Sequence, residues 1–131
     1  MWIVSNIRWV MWVSGALTAT MIYVAIAPEA ALRSNFGETL SGPVAEVVVR
    51  SWGALIAMVG AALIYGANRP AVRPLALVLA GASKAVFIGL VLSQGSIFLS
   101  HQAGVAVAVD SVMILLYAWY FLAASRRSEA V

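Results

Sequence analysis

Lys84 and Asp110 are the two charges set deep inside long apolar stretches. Lys84 sits in LALVLAGASKAVFIGLVL and Asp110 in AGVAVAVDSVMILLYAWYFLAA. A charge near the centre of a membrane helix costs about 2.5–3.5 kcal/mol on insertion scales. Two opposite charges at one depth relieve each other. Such a pair can fix helix register without any chemistry. It can also line a polar cavity that binds a ligand or moves a proton. Both readings stay open from the residues alone.

The depths can be compared. If the two stretches are antiparallel helices, their connection centres near Phe98, with Lys84 14 residues before it and Asp110 12 after it. At 1.5 Å per residue the two differ in depth by only about 3 Å. Arg50 lies 19 residues before Arg69 and Lys84 lies 15 after it, which sets Arg50 about 6 Å shallower. Glu46 precedes Arg50 by four residues and shares its helix face. Glu29 follows the first apolar stretch, and His101 lies between the last two. A candidate polar cavity at one end of the molecule is therefore expected from Lys84, Asp110, Arg50, Glu46, Glu29 and His101. Glu46 with Arg50 also reads as a plain pair at a helix end, and His101 as an exposed loop histidine. Tyr117 lies seven residues after Asp110, on the same face, and reads as a core residue whose hydroxyl needs a partner.

No motif specifies a reaction. There is no Gly-rich phosphate loop, serine elbow, HExxH or acidic metal run. One histidine without cysteine makes no metal site. No motif assigns a catalytic residue, and no cofactor or metal is expected.

Four apolar stretches must carry these side chains: residues 9–27, 47–67, 75–92 and 103–124. Each approaches the roughly 20 residues that cross a bilayer core. Pro28, Gly42-Pro43, Asn68-Arg69-Pro70 with Pro74, and Gly95 separate them. Ala25-Ile26-Ala27 has the small-x-small form of a signal cleavage site. Cleavage there would place Pro28 first in the mature chain, so a retained first span is expected. The connection at 28–46 is expected as a plain loop. A short amphipathic helical turn over 29–36, with Leu32 and Phe36 on one side, is the alternative.

Composition points the same way. Of 131 residues, 63% are hydrophobic and 10% charged, against roughly 25% charged in an ordinary soluble domain. Mean hydropathy is +0.98. Eight basic against five acidic residues give a net charge of +3. That excess, without a basic run, gives no basis for nucleic-acid binding. The expected fold is all-α: a polytopic membrane protein, one antiparallel four-transmembrane-helix bundle over residues 1–131.

Four spans put both termini on one side. That side collects Arg8, Arg69, Arg73, Arg126 and Arg127 with Glu129; the other has Arg33 and Arg50 with Glu29, Glu38 and Glu46. The positive-inside rule then places both termini in the cytoplasm. The expected location is a bacterial cytoplasmic (inner) membrane. Trp9, Trp12, Tyr65, Trp119 and Tyr120 fall near the inner interface and Trp52 near the outer one, where such rings settle.

Small residues at four-residue spacing mark helix-packing faces. They are Gly81, Ala85 and Gly89 in the third span, Gly53, Ala57 and Ala61 in the second, and Gly15 and Ala19 in the first. Packing within one bundle is the expectation for them, with a homo-oligomer interface the alternative.

Pro28-Glu29 closing the first span, Arg50 and Gly53 opening the second, and a basic residue within the third, Lys84, make the layout resemble small bacterial four-helix membrane proteins of the DoxX-like kind. The resemblance covers residues 9–124. It implies the fold and no activity. The functional expectation is a non-enzymatic membrane protein, an accessory subunit of a larger membrane complex or a binder of a small amphipathic ligand. The alternatives are a proton- or solute-coupled transporter, acting as an oligomer through Asp110 and Lys84, and a lipid-modifying enzyme.

Overall fold

The computed structural model describes residues 2–129, with side chains described through residue 126. Arg127 and Glu129, which enter the charge count above, have side chains outside the described residues. Every regular element in the described residues is a helix. In chain order these are α1 (Trp2–Ala19), α2 (Ile22–Ile26), α3 (Pro28–Phe36), α4 (Pro43–Asn68), α5 (Arg73–Ser93) and α6 (Gln102–Glu129). Four segments are long and apolar enough to cross a membrane: Trp2–Ile26, Pro43–Asn68, Arg73–Ser93 and Gln102–Arg126.

α1 packs on α4 and α6, α4 on α5, and α5 on α6, so the long helices close a ring. Close contacts fix their directions. Met11 meets Gly66, Gly15 meets Gly60, and Val24 meets Gly53, so α1–α2 and α4 run antiparallel. Lys84 meets Asp110 and Gly81 meets Tyr117, so α5 and α6 do likewise. The outward faces are apolar: Val13 and Leu17, Leu55 and Met58, Val78 and Val86, Leu115 and Leu122 are all exposed. Apolar surface spread over every helix suits a hydrocarbon solvent and not water.

The first helix begins at Trp2 rather than near residue 9. Ile3 and Ile7 are fully buried and continue the face of Met11 at four-residue spacing. Asn6 donates to the Trp2 carbonyl within the same turn. These contacts hold the early residues in the helix despite Ser5, Asn6 and Arg8.

The first span is broken at Thr20–Met21. The amide of Met21 donates to Thr18 O, and that of Tyr23 to Thr20 O, so the chain tightens to i→i−3 bonds here. Two threonine hydroxyls drive this. Thr18 Oγ1 donates to Ser14 O and Thr20 Oγ1 to Leu17 O. Such back-bonding weakens the backbone ladder and bends helices.

Residues 28–36 form a helix, the alternative reading of this connection and not the plain loop that was the first expectation. Pro28 starts it, Glu29 lies in its first turn and Arg33 in its last. Both charges complement the helix dipole. Gly37, at φ 74°, ends it and donates to Arg33 O. Ala31, Leu32 and Asn35 are buried beneath it. Phe36 sits between Trp52 of α4 and Phe98, with ring centroids 6.1 and 5.1 Å away. Three aromatic rings thus pin α3 across one end of the ring of helices.

Two apolar clusters result. One joins Ile3, Ile7, Met11, Leu63, Leu77, Met113 and Tyr117 in the half that carries the chain termini. The other joins Val24, Ala31, Leu32 and Val49 under α3. The polar side chains described next lie between them.

Candidate functional site

Lys84 Nζ lies 3.0 Å from Asp110 Oδ1 and 3.1 Å from Thr18 Oγ1. Three helices meet at this point: α5 brings the lysine, α6 the aspartate and α1 the threonine. The lysine side chain is 7% exposed and the aspartate 19%. Thr18 Oγ1 donates its own hydrogen bond to Ser14 O at 2.7 Å, which leaves its lone pairs for the ammonium. One turn further, Tyr117 donates to Ser14 Oγ at 2.7 Å.

The pair is not fully used. An ammonium has three donors. Thr18 and Asp110 take two, and no other described residue bonds Lys84. No hydrogen bond from the described residues reaches Asp110 Oδ2. One donor and one acceptor therefore remain side by side.

Both residues line a cavity of about 280 Å³, close to the lower end of ligand pockets. Its floor is Thr18, Ser83, Lys84, Asp110 and Met113. Its walls are Trp52, Ile56 and Val59 of α4, Phe87 of α5, and Val105 and Val109 of α6. Tyr23, Asn35 and Gln102 close the α3 end. Asn35 Nδ2 donates to the Tyr23 hydroxyl at 2.8 Å and to Ala31 O at 2.9 Å. The Tyr23 hydroxyl donates to Gln102 Oε1 at 3.4 Å. The helix break at Thr20–Met21 borders one side. There Leu17 and Thr20 of the first span and Val105 of α6 line the cavity and are themselves exposed. The cavity thus has a lateral mouth, between two helices on the apolar flank.

The six candidate residues do not share one cavity. Lys84 and Asp110 line the one just described. Glu29, Glu46 and Arg50 lie in an open groove between α3 and the start of α4. Helix periodicity explains the division. Trp52, Ile56 and Val59 form the α4 face turned to the cavity, and residues 46 and 50 lie on another face. Arg50 is tied down there. Its Nε donates to Glu46 Oε1 at 3.0 Å and its Nη1 to Ala25 O. His101 is elsewhere again, with its ring packed on Gly37 at the end of α3.

The packing residues divide too. Gly53 and Gly60 are buried against the first span. A Cβ on Gly60 would lie 2.5 Å from Ala19 N and 2.7 Å from Gly15 O. Ala57 is half-buried on the same helix. On α5 the expected stripe turns outward. Gly81 only approaches Tyr117, Ala85 is exposed, and nothing lies within 4 Å of a Cβ built on Gly89. The reason is Lys84: turning it inward sends Ala85 and Gly89 to the outside.

Thr18, Tyr23, Asn35, Gln102 and Phe87 were not singled out from sequence, and Trp52 was read only as an interface aromatic. Only Ser14 and Thr18 carried a signal, two hydroxyls one turn apart in an apolar span. No family model, curated protein or solved structure matches the chain.

Proposed function

We propose that this chain is a non-catalytic, multi-pass protein of a bacterial cytoplasmic membrane that holds a small amphipathic molecule in the cavity above Lys84 and Asp110. One observation carries the reading. A buried lysine and a neighbouring carboxylate keep one donor and one acceptor open toward a cavity whose walls are apolar. Groups of this kind inside an apolar span are costly, and a ligand head supplies the missing partners. The open side of the cavity lies on the apolar flank, where a lipophile dissolved in the bilayer would arrive.

The four long helices read as an antiparallel bundle with both termini in the cytoplasm. Arg8, Arg69, Arg73 and Arg126 support this at one end, against Arg33 and Arg50 at the other. The layout supports kinship with DoxX-like membrane proteins. The outward Ala85–Gly89 stripe fits an accessory subunit that meets a helix of a larger complex or of a second copy. A transport route is less well supported. Met11, Leu77, Met113 and Tyr117 pack closed below the charged pair.

The test is native mass spectrometry of the protein released from nanodiscs made from its own membrane. Wild type is expected to carry one small lipophile per chain. Val109→Trp, at the exposed rim of the cavity, is expected to obstruct it and lose the lipophile while keeping its thermal midpoint. Wild type released empty, or a lipophile retained equally by Val109→Trp, sinks the proposal.

A further inference from the structure

We infer that the molecule held in this cavity has an uncharged head that both donates and accepts a hydrogen bond, such as an alcohol or a primary amide, on a short apolar chain. The inference rests on the ligand-binding reading above and adds the chemical class.

The electrostatics of the lining decide it. Lys84 and Asp110 are the charged residues that line the cavity, and they sit 3.0 Å apart. Their charges cancel. Every other polar residue of the lining is neutral. Arg50, Glu46 and Glu29, which could have biased the potential, lie in the separate groove. A charged head entering the cavity would lose its hydration without gaining a net counter-charge, which is the costly case for a buried ion. A neutral head meets no such cost. It finds the unused Lys84 donor and Asp110 Oδ2 side by side. A hydroxyl accepts from the first and donates to the second, and a primary amide does the same with its oxygen and its NH2.

Size and shape narrow the class further. The volume, about 280 Å³, takes a head and a short chain, not a two-chain lipid. Trp52, Phe87 and Val109 offer that chain apolar contact. A longer chain would leave by the mouth between Leu17 and Val105, where both side chains are exposed.

The test compares three probes of equal chain length, each bearing a diazirine: decan-1-ol, decyl sulfate and decyltrimethylammonium. The protein is held in phosphatidylcholine nanodiscs and labelled peptides are mapped after irradiation. The alcohol is expected to label α6 around Val105–Val109 or the peptide of Trp52, and unlabelled decan-1-ol to compete it away. The two ions are expected to label these sites about tenfold less, the ratio that a difference of 1.4 kcal/mol produces. Asp110→Asn leaves Lys84 as the one lining charge and is expected to turn the preference toward decyl sulfate. Lys84→Gln is expected to turn it toward decyltrimethylammonium. The wild-type ranking decides the matter if either variant fails to fold.

Equal or stronger labelling by either ion in wild type overturns the neutral-head inference and leaves amphiphile binding standing. Absence of competed label in the cavity from all three probes overturns both.

Discussion

Ser14 and Tyr117 meet across α1 and α6 through a hydroxyl–hydroxyl hydrogen bond of 2.7 Å, with both residues buried. The bond ties the first span to the last, directly below the contact of Lys84 with Thr18 and Asp110. Tyr117→Phe removes the donor and leaves Ser14 Oγ only a long 3.5 Å contact to Met11 O. Hydrogen bonds between membrane helices average about 0.6 kcal/mol and reach about 1.7. Tyr117→Phe is therefore expected to destabilise by about 0.6–1.7 kcal/mol in reversible unfolding in mixed micelles. Ser14→Ala should cost a similar amount, and the double variant little more than either single one. Additive losses would show that the two hydroxyls do not act as a unit.

The charged contact makes a sharper case for comparing single and double variants. Lys84→Met leaves Asp110 without its counter-charge. Breaking a buried pair from one side costs about 3–5 kcal/mol. Asp110 retains some exposure to the cavity, so the loss should fall at or below the lower end of that range. Lys84→Met with Asp110→Leu removes both charges and is expected to recover most of the stability. A double variant weaker than Lys84→Met would mean that the pair contributes more than mutual neutralisation. The same unfolding assay reads this out.

Arg50 and Glu46 should behave differently, since both are about half exposed. An exposed i,i+4 pair contributes about 0.3–0.5 kcal/mol. Glu46→Gln is expected to lose no more than that, and less in high salt. Arg50→Ala also removes the donor to Ala25 O near the end of α2. It should cost more than Glu46→Gln, and the excess should be nearly independent of salt. Equal losses from the two variants would assign Arg50 no role beyond the pair.

Much of this architecture is written in hydropathy, and the exceptions have physical causes. Four apolar runs specify four long helices because a bilayer-spanning segment needs length and composition more than detailed packing. The depth arithmetic for Lys84 and Asp110 needed only the helical rise and a shared connection, and the structure sets them 3.0 Å apart. Rotation about each helix axis was not legible. It decided that Arg50 and Glu46 face a groove, and that Ala85 and Gly89 face outward. α3 was legible only as the alternative reading of its segment, for another reason. Its stability comes from Phe36 on Trp52 and Phe98, partners far away in sequence. The break at Thr20–Met21 was invisible to hydropathy because threonine hydroxyls, not proline or glycine, produce it. That break borders the cavity, so the least legible feature of the first span lies at the site itself.

Orientation can be read directly, because the chain has no cysteine to confuse labelling. Ser41 lies exposed between α3 and α4, and Ser125 lies exposed near the end of α6. In intact cells, Ser41→Cys is expected to react with a membrane-impermeant maleimide. Ser125→Cys should react only after the membrane is opened. The reverse pattern would invert the topology that the arginine distribution supports.

Gly60 and Gly89 separate packing within the chain from packing against something else. A Cβ on Gly60 collides with the backbone of Ala19 and Gly15. Neither backbone can move without parting α1 from α4. Gly60→Ala is expected to destabilise by about 1–3 kcal/mol, the usual cost of forcing extra volume into a packed contact. Gly89→Ala meets open space. In the isolated protein it should be neutral or stabilising by up to about 1 kcal/mol, since glycine weakens a helix interior. Gly89→Leu, bulkier but still unopposed, should leave the melting midpoint of the isolated chain unchanged. If α5 packs on a partner helix in the membrane, Gly89→Leu should abolish the association, read as loss of copurifying protein or of a dimer by crosslinking. Gly89→Leu that unfolds the monomer would refute the outward placement of this face. Gly89→Leu that changes neither stability nor association would leave the stripe facing lipid alone.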